Sequence, residues 1–173
     1  VDYWFAGSQN ARLRIKKVYK ADSEVLYPFV EEKFFERGMS GFEGGYYLVI
    51  SRLLSYKKID EVVKAFGDGD RQLMVVGNGA EREKLMSAAP ANVRFLSGVG
   101  DEVLLDLIAG CQAVIVAAEE DFGMVSLEAQ AMGKPVIAYR LGGSLETVKE
   151  DITGVFFGVQ KSDYIKQALD RFE

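Results

Sequence analysis

The strongest constraint on the fold is an alternation of short, unbroken apolar runs with stretches of helical spacing. Runs at 46–50, 72–76, 92–96, 113–116, 135–139 and 154–157 read as strands. The intervening stretches from about 60, at 80–88, 101–109 and 124–132, near Glu146 and at 162–172 read as helices. A strand that is apolar at consecutive positions hides both faces, which marks a parallel sheet covered by helices on either side. Right-handed crossovers then give a doubly wound α/β domain. Upstream, Ser8 is placed to cap a helix through Ala11, Ile15, Val18 and Tyr19, and residues 24–27 read as a strand stopped by Pro28. Gly38 to Gly45 reads as a Gly- and Glu-rich loop. The 173 residues suit one domain with a sizeable core, and they contain no internal repeat.

In an open parallel sheet a ligand lies beyond the carboxyl ends of the strands, so the loops that follow strands carry the chemical information. Five of them are informative. After 46–50 come Arg52 and Lys57, a planar fork and a point charge, a pair suited to a diphosphate, although a solvated basic turn has the same composition. After 72–76 comes Gly77-Asn78-Gly79, where glycines permit close approach of the backbone to a ligand. An ordinary strand-to-helix turn reads identically. Ser97-Gly98-Val99-Gly100 leads to Asp101, which suits a helix cap, and a nucleobase could also lie against this loop.

The fourth loop, Glu119-Glu120-Asp121-Phe122-Gly123, opens a helix at Met124 that contains Glu128. Its acids could simply favour the helix dipole. Glu128, however, stands among Leu127, Ala129, Ala131 and Met132, where a carboxylate is costly unless partnered. Two carboxylates about a turn apart suit pairs of sugar hydroxyls, and the free amides of the helix start suit a phosphate. Leu141-Gly142-Gly143-Ser144 is the fifth loop. Together these loops describe a site for an anionic, hydroxyl-rich ligand.

The formal net charge of -5 leaves no basic stripe for nucleic acid, so phosphates must be held locally. The absence of histidine removes imidazole acid/base catalysis, Ser-His-Asp triads and imidazole metal sites from this chain. Cys111, the single cysteine, forms no disulfide within the chain and reads as a small buried side chain. No apolar stretch reaches the ~18 residues of a membrane span, and Val1-Asp2-Tyr3-Trp4 is no signal peptide. Without an initial Met, the chain is expected to be a fragment, and a single thiol suits a reducing, cytoplasmic compartment.

Glu120 and Glu128, with seven residues between them, match the E-x7-E motif, and the stretch EEDFGMVSLEAQAMGKPVIAYRLGGSLETV resembles that of retaining GT-B glycosyltransferases of family 4. Asp121 stands where that pattern commonly has Gly. SRLLSYKKID is similar to the family's G-R-L-x-x-x-K-G-x-D, with Arg52 and Lys57 in place and Ser51 and Lys58 replacing its two glycines. VVGNGAEREKL and VRFLSGVGDEVLLDLIAGC match the intervening blocks, so the likeness covers nearly the whole chain. It implies a Rossmann-like sheet forming the C-terminal, donor-binding half of a GT-B enzyme. The wording of the last blocks resembles mannosyltransferases of O-antigen and related surface-glycan synthesis.

By that resemblance Arg52 and Lys57 bind the donor diphosphate, Glu128 the ribose hydroxyls, and Glu120 faces the transferred sugar. Phe122, Gly123 and Met124 offer amides, Gly98 and Val99 contact the base, and Gly77, Gly79, Gly142 and Gly143 border the donor. The implied donor is a nucleoside-diphosphate sugar, with GDP-mannose preferred, and no metal or other cofactor. The implied partners are a glycan or lipid-linked acceptor and an N-terminal acceptor domain of the same polypeptide, which would also supply any cleft histidine and any peripheral attachment to the cytoplasmic membrane face. The isolated 173 residues are then expected to bind nucleotide but transfer little sugar. Two other readings remain at this point: a non-catalytic nucleotide-binding module on the same fold, and a nonhydrolysing UDP-sugar epimerase, which the lack of histidine disfavours.

Overall fold

A computed structural model describes residues 3–37, 44–67 and 69–173. Six parallel strands form the main sheet: β3 (Tyr46–Ile50), β4 (Gln72–Val76), β5 (Val93–Leu96), β6 (Ala113–Val116), β7 (Val136–Tyr139) and β8 (Gly154–Phe157). Their spatial order is β5-β4-β3-β6-β7-β8. The chain therefore builds outward from β3 in one direction, returns, and builds outward from β6 in the other. The loops after β3 and β6 diverge at that reversal and leave a crevice between them. The expected doubly wound parallel sheet is what the chain forms.

Unbroken apolar strands are required because both faces are covered. Tyr47 and Val49 point into a core shared with α3 (Ile59–Ala65), α4 (Arg82–Ala88) and α8 (Ser162–Phe172), through Val62, Leu85, Ile165 and Leu169. Tyr46 and Leu48, one step out of phase, enter a second core with α2 (Glu32–Arg37), α5 (Asp101–Gly110) and α6 (Met124–Ala131), through Phe34, Ile108 and Ala129. Cys111 is wholly buried in the second core, and burial pushes its thiol up to about 12, so it packs as a small apolar group.

The N-terminal segment stands apart from the main sheet. β1 (Phe5–Ala6) and β2 (Glu24–Val25) form a separate parallel pair, so the strand expected over 24–27 is shorter. Beyond it the chain heads directly into Pro28. α1 (Gln9–Tyr19) begins at the expected cap, the Ser8 hydroxyl accepting from the Ala11 N–H at 2.9 Å. It buries none of its residues, and Leu13, Val18 and Tyr19 are exposed. α2, for which the sequence pattern offers no expectation, is a single short helix anchored by Phe34. Of the expected Gly38 to Gly45 loop, 38–43 lie outside the described residues.

Candidate functional site

The crevice at the sheet reversal opens as a cavity of about 1450 Å³. The loop after β3 enters it through Ser51 and Arg52, then tightens into a 3-10 turn, Ser55–Lys57. That turn ends at Lys58 in the left-handed conformation, φ 57°. The family pattern has glycine here, so the lysine accepts a backbone strain that glycine would avoid. The turn sets Tyr56 and Lys57 on the cavity wall, with the Lys57 ammonium 5.3 Å from the Tyr56 ring centre. Arg52 donates to the Tyr56 hydroxyl at 3.2 Å.

Across the crevice, the loop after β6 supplies Glu119 through Gly123 and leads into α6. Lys57 Nζ donates to Glu120 Oε1 at 2.7 Å, with side chains 13% and 28% exposed. This ion pair links the two loops that diverge at the reversal. Gly123 occupies the cap position of α6 with φ 96°, and no side chain caps the helix. The amides of Met124 and Val125, in the first turn, have no acceptor inside the helix. Both residues line the cavity. One wall therefore carries two cations and the other a carboxylate and a helix start, an arrangement that can hold a phosphate and a hydroxyl-bearing group side by side.

Nine of the expected residues line this cavity: Arg52, Lys57, Gly77, Gly98, Val99, Glu120, Phe122, Gly123 and Met124. Four do not: Gly79, Glu128, Gly142 and Gly143. The structure gives those glycines a different use. A Cβ at Gly143 would collide with the backbone of Phe122, so its absence lets the loop after β7 lie directly on the loop after β6. The contact is closed by the Gly143 N–H donating to Glu120 O at 2.7 Å. Even at Gly77, which lines the cavity, a Cβ would strike the Ser51 carbonyl, so close packing of the β3 and β4 loops already demands glycine there.

Glu128 lies further along α6, half-buried. Desolvation raises its carboxyl pKa, with the Glu31 charge adding to the rise and Lys33 opposing it. It thus faces the side of α6 that meets the segment around α2, while Glu120 faces the cavity. Arg14, Tyr56, Asn78 and Gln160 also line the cavity, with no site role evident from the sequence alone. Gln160 follows β8 and donates to Ala117 O at 2.7 Å, and Arg14 reaches over from α1 to pair with Asp121. Neither has a local spacing signal, because each arrives from a remote part of the chain.

Solved structures share this architecture. HepE of Anabaena in complex with UDP-glucose superposes with a TM-score of 0.80 at 21% identity, over 99% of this chain and 54% of that one. Sucrose-phosphate synthase from Thermosynechococcus elongatus gives 0.83 at 20% identity, over 99% and 49%. At such identities these likenesses establish the fold. In sequence, the chain is 30% identical over 151 residues to N-acetyl-alpha-D-glucosaminyl L-malate synthase of Bacillus anthracis, covering 77% of this chain and 39% of that protein. It is 32% identical over 111 residues to the GDP-mannose-dependent alpha-mannosyltransferase of Corynebacterium glutamicum, covering 64% and 27%. The chain thus spans well under half the length of these relatives. Residues 31–173 match the family described as Glycosyl transferases group 1, and the chain belongs to that family.

Proposed function

We propose that this chain is the donor-binding half of a retaining glycosyltransferase. It would transfer a hexose, with mannose from GDP-mannose the preferred case, to a glycan or lipid-linked acceptor. The observation that carries the reading is the facing of Arg52 and Lys57 against Glu120 and the start of α6 across one cavity. Transfer breaks the bond between the anomeric carbon and the diphosphate. The bonding pair leaves with the β-phosphate oxygen, and the acceptor hydroxyl passes its proton to the leaving phosphate as its oxygen joins the anomeric carbon. Arg52, Lys57 and the first residues of α6 line the cavity, and in this reading they stabilise charge growing on that phosphate, which accelerates a step in which the charge develops.

Glu120 is the group proposed to face the sugar, Gly98 and Val99 the base, and Glu128 the ribose hydroxyls. Relatives of both donor kinds support a nucleotide-sugar site: the Corynebacterium enzyme is GDP-mannose-dependent, and the HepE complex contains UDP-glucose. An N-terminal domain of the same polypeptide is proposed to hold the acceptor and face this cavity, on the cytoplasmic side of a membrane if it attaches to one. Calorimetric titration with UDP, GDP and ADP, and with their glucose and mannose forms, tests the reading. Binding of a nucleoside diphosphate that weakens on Arg52→Ala supports it, and failure of all of them to bind refutes it. The ranking of the sugars selects the donor.

A further inference from the structure

The loop that carries Glu120 has no side-chain cap of its own at α6, yet its backbone is held from outside by the start of α1. The Ser8 hydroxyl, wholly buried, donates to Asp121 O at 2.5 Å while accepting from the Ala11 N–H at 2.9 Å. Asn10 Nδ2 donates to Glu120 O at 3.4 Å, and Arg14 pairs with the Asp121 carboxylate. The Tyr27 ring stacks on Phe122 with centroids 5.3 Å apart. Four side chains, three from α1 and its cap and one from beyond β2, therefore grip three consecutive residues of the loop.

One side chain fixes that grip. Glu146 accepts from the Gln9 N–H through Oε2 and from the Asn10 N–H through Oε1, each at 2.8 Å. The Tyr27 hydroxyl donates to its Oε2 at 3.2 Å. These two amides belong to the first turn of α1 and have no acceptor within the helix, and a carboxylate there also meets the positive end of the helix dipole. The Glu146 carboxylate thus locks the α1 start, and through it Ser8, Asn10 and Tyr27, against the loop.

We propose that Glu146 is a positioning residue for the donor site, acting through Ser8 and Tyr27 to hold residues 120–122 in place for the diphosphate sugar. This rests on the donor-site reading above. Glu146 itself does not line the cavity, so its effect is transmitted by the loop. Displacing a binding group by about 1 Å can cost large factors in function, which makes such a brace worth maintaining.

The test compares the wild-type chain with Glu146→Ala, Glu146→Gln and Ser8→Ala, and with Arg71→Gln as a control that loosens the fold away from the cavity. Glu146→Ala should weaken UDP or GDP binding about tenfold, and Glu146→Gln, which keeps one acceptor oxygen, about threefold. Equal binding by wild type and Glu146→Ala, or an equal loss in Arg71→Gln at matched Tm, overturns the proposal. Hydrogen exchange of the ligand-free chain gives an independent readout. Amides of 121–124 should exchange faster in Glu146→Ala, Ser8→Ala and Glu146→Gln but not in Arg71→Gln, and unchanged rates overturn the proposal. A wild-type chain that binds no nucleotide refutes the donor-site reading instead, and the exchange rates still decide whether Glu146 holds the loop.

Discussion

Two charged clusters sit at opposite ends of the same sheet and are built on opposite terms. Where β4 begins, Arg71 donates to Asp170 at 2.7 Å and twice to Glu173, at 2.8 and 2.7 Å, and Glu173 also accepts from the Tyr47 hydroxyl at 2.8 Å. The hollow beside them measures about 280 Å³. At the carboxyl ends, Arg52 donates to one tyrosine hydroxyl and enters no ion pair among the described residues, and Lys57 has Glu120 as its carboxylate partner. There the cavity is about 1450 Å³. The first cluster satisfies itself and ties α8 to the sheet. The second keeps a five-donor guanidinium largely uncommitted beside a space large enough for a ligand. Saturated charges mark structure, and charges held in reserve beside a cavity mark a site.

The sharpest way to break this contrast is to remove one cation from each cluster. Lys57→Ala should weaken nucleoside diphosphate binding roughly 30-fold, about 2 kcal/mol for a lost charge-assisted bond, with little change in Tm. Arg71→Gln should leave that binding unchanged while lowering Tm by about 4 °C, on the order of 1–2 kcal/mol in a domain of this size. Calorimetry and thermal melts measure both. If the two variants exchange these effects, the assignment of roles is wrong.

Glu128→Gln sharpens the contrast within the site itself. Because burial raises the folded-state pKa, the fold favours the neutral acid, and stability falls as pH climbs from the ordinary carboxylate range through the raised value. Above the ordinary carboxylate range Glu128 therefore costs stability. The amide variant should raise Tm by about 2–4 °C and lower nucleotide affinity about tenfold if Glu128 binds the ribose. Raised Tm with unchanged affinity would assign Glu128 to the α2 side alone.

Smaller effects follow from the pairing of Lys57 with Glu120. Glu120→Gln should tighten binding of a sugar-free nucleoside diphosphate about threefold, because the lysine no longer has a competing anion, while turnover of the complete enzyme falls. At the other end, Arg71 first and then Tyr47 hold the Glu173 carboxyl down at about 2. That stabilisation is present above the unfolded value of ~4.3 and is lost as pH falls toward 2, so acid in that range should loosen α8. Hydrogen exchange of α8 across that pH range checks it.

Much of this contrast was legible in the chain. Tyr46–Ile50 and Ala113–Val116 announce a doubly covered sheet because consecutive apolar residues have no other use, and a ligand beyond the strand ends follows from topology. Arg52, Lys57 and Glu120 stand out in the sequence because each lies in a loop that follows a strand. Other features left no local trace. β1 has two residues and α2 six, too few for a period to show. The apolar spacing of α1 suggests a covered face, yet no residue of that helix is buried here. Arg14 and Gln160 reach the cavity through tertiary folding alone. Glycines posed the subtler difficulty: Gly143 reads as a place for ligand approach, but its missing side chain makes room for Phe122.

The most direct test of the central claim maps where nucleotide acts on the chain. Hydrogen exchange with and without saturating UDP or GDP should show protection at Ser51 to Lys57 and at Phe122 to Val125, and none around Arg71 and α8. Protection confined to the Arg71 end, or absent from both loops at saturating nucleotide, would contradict the assignment of the crevice between β3 and β6 as the donor site.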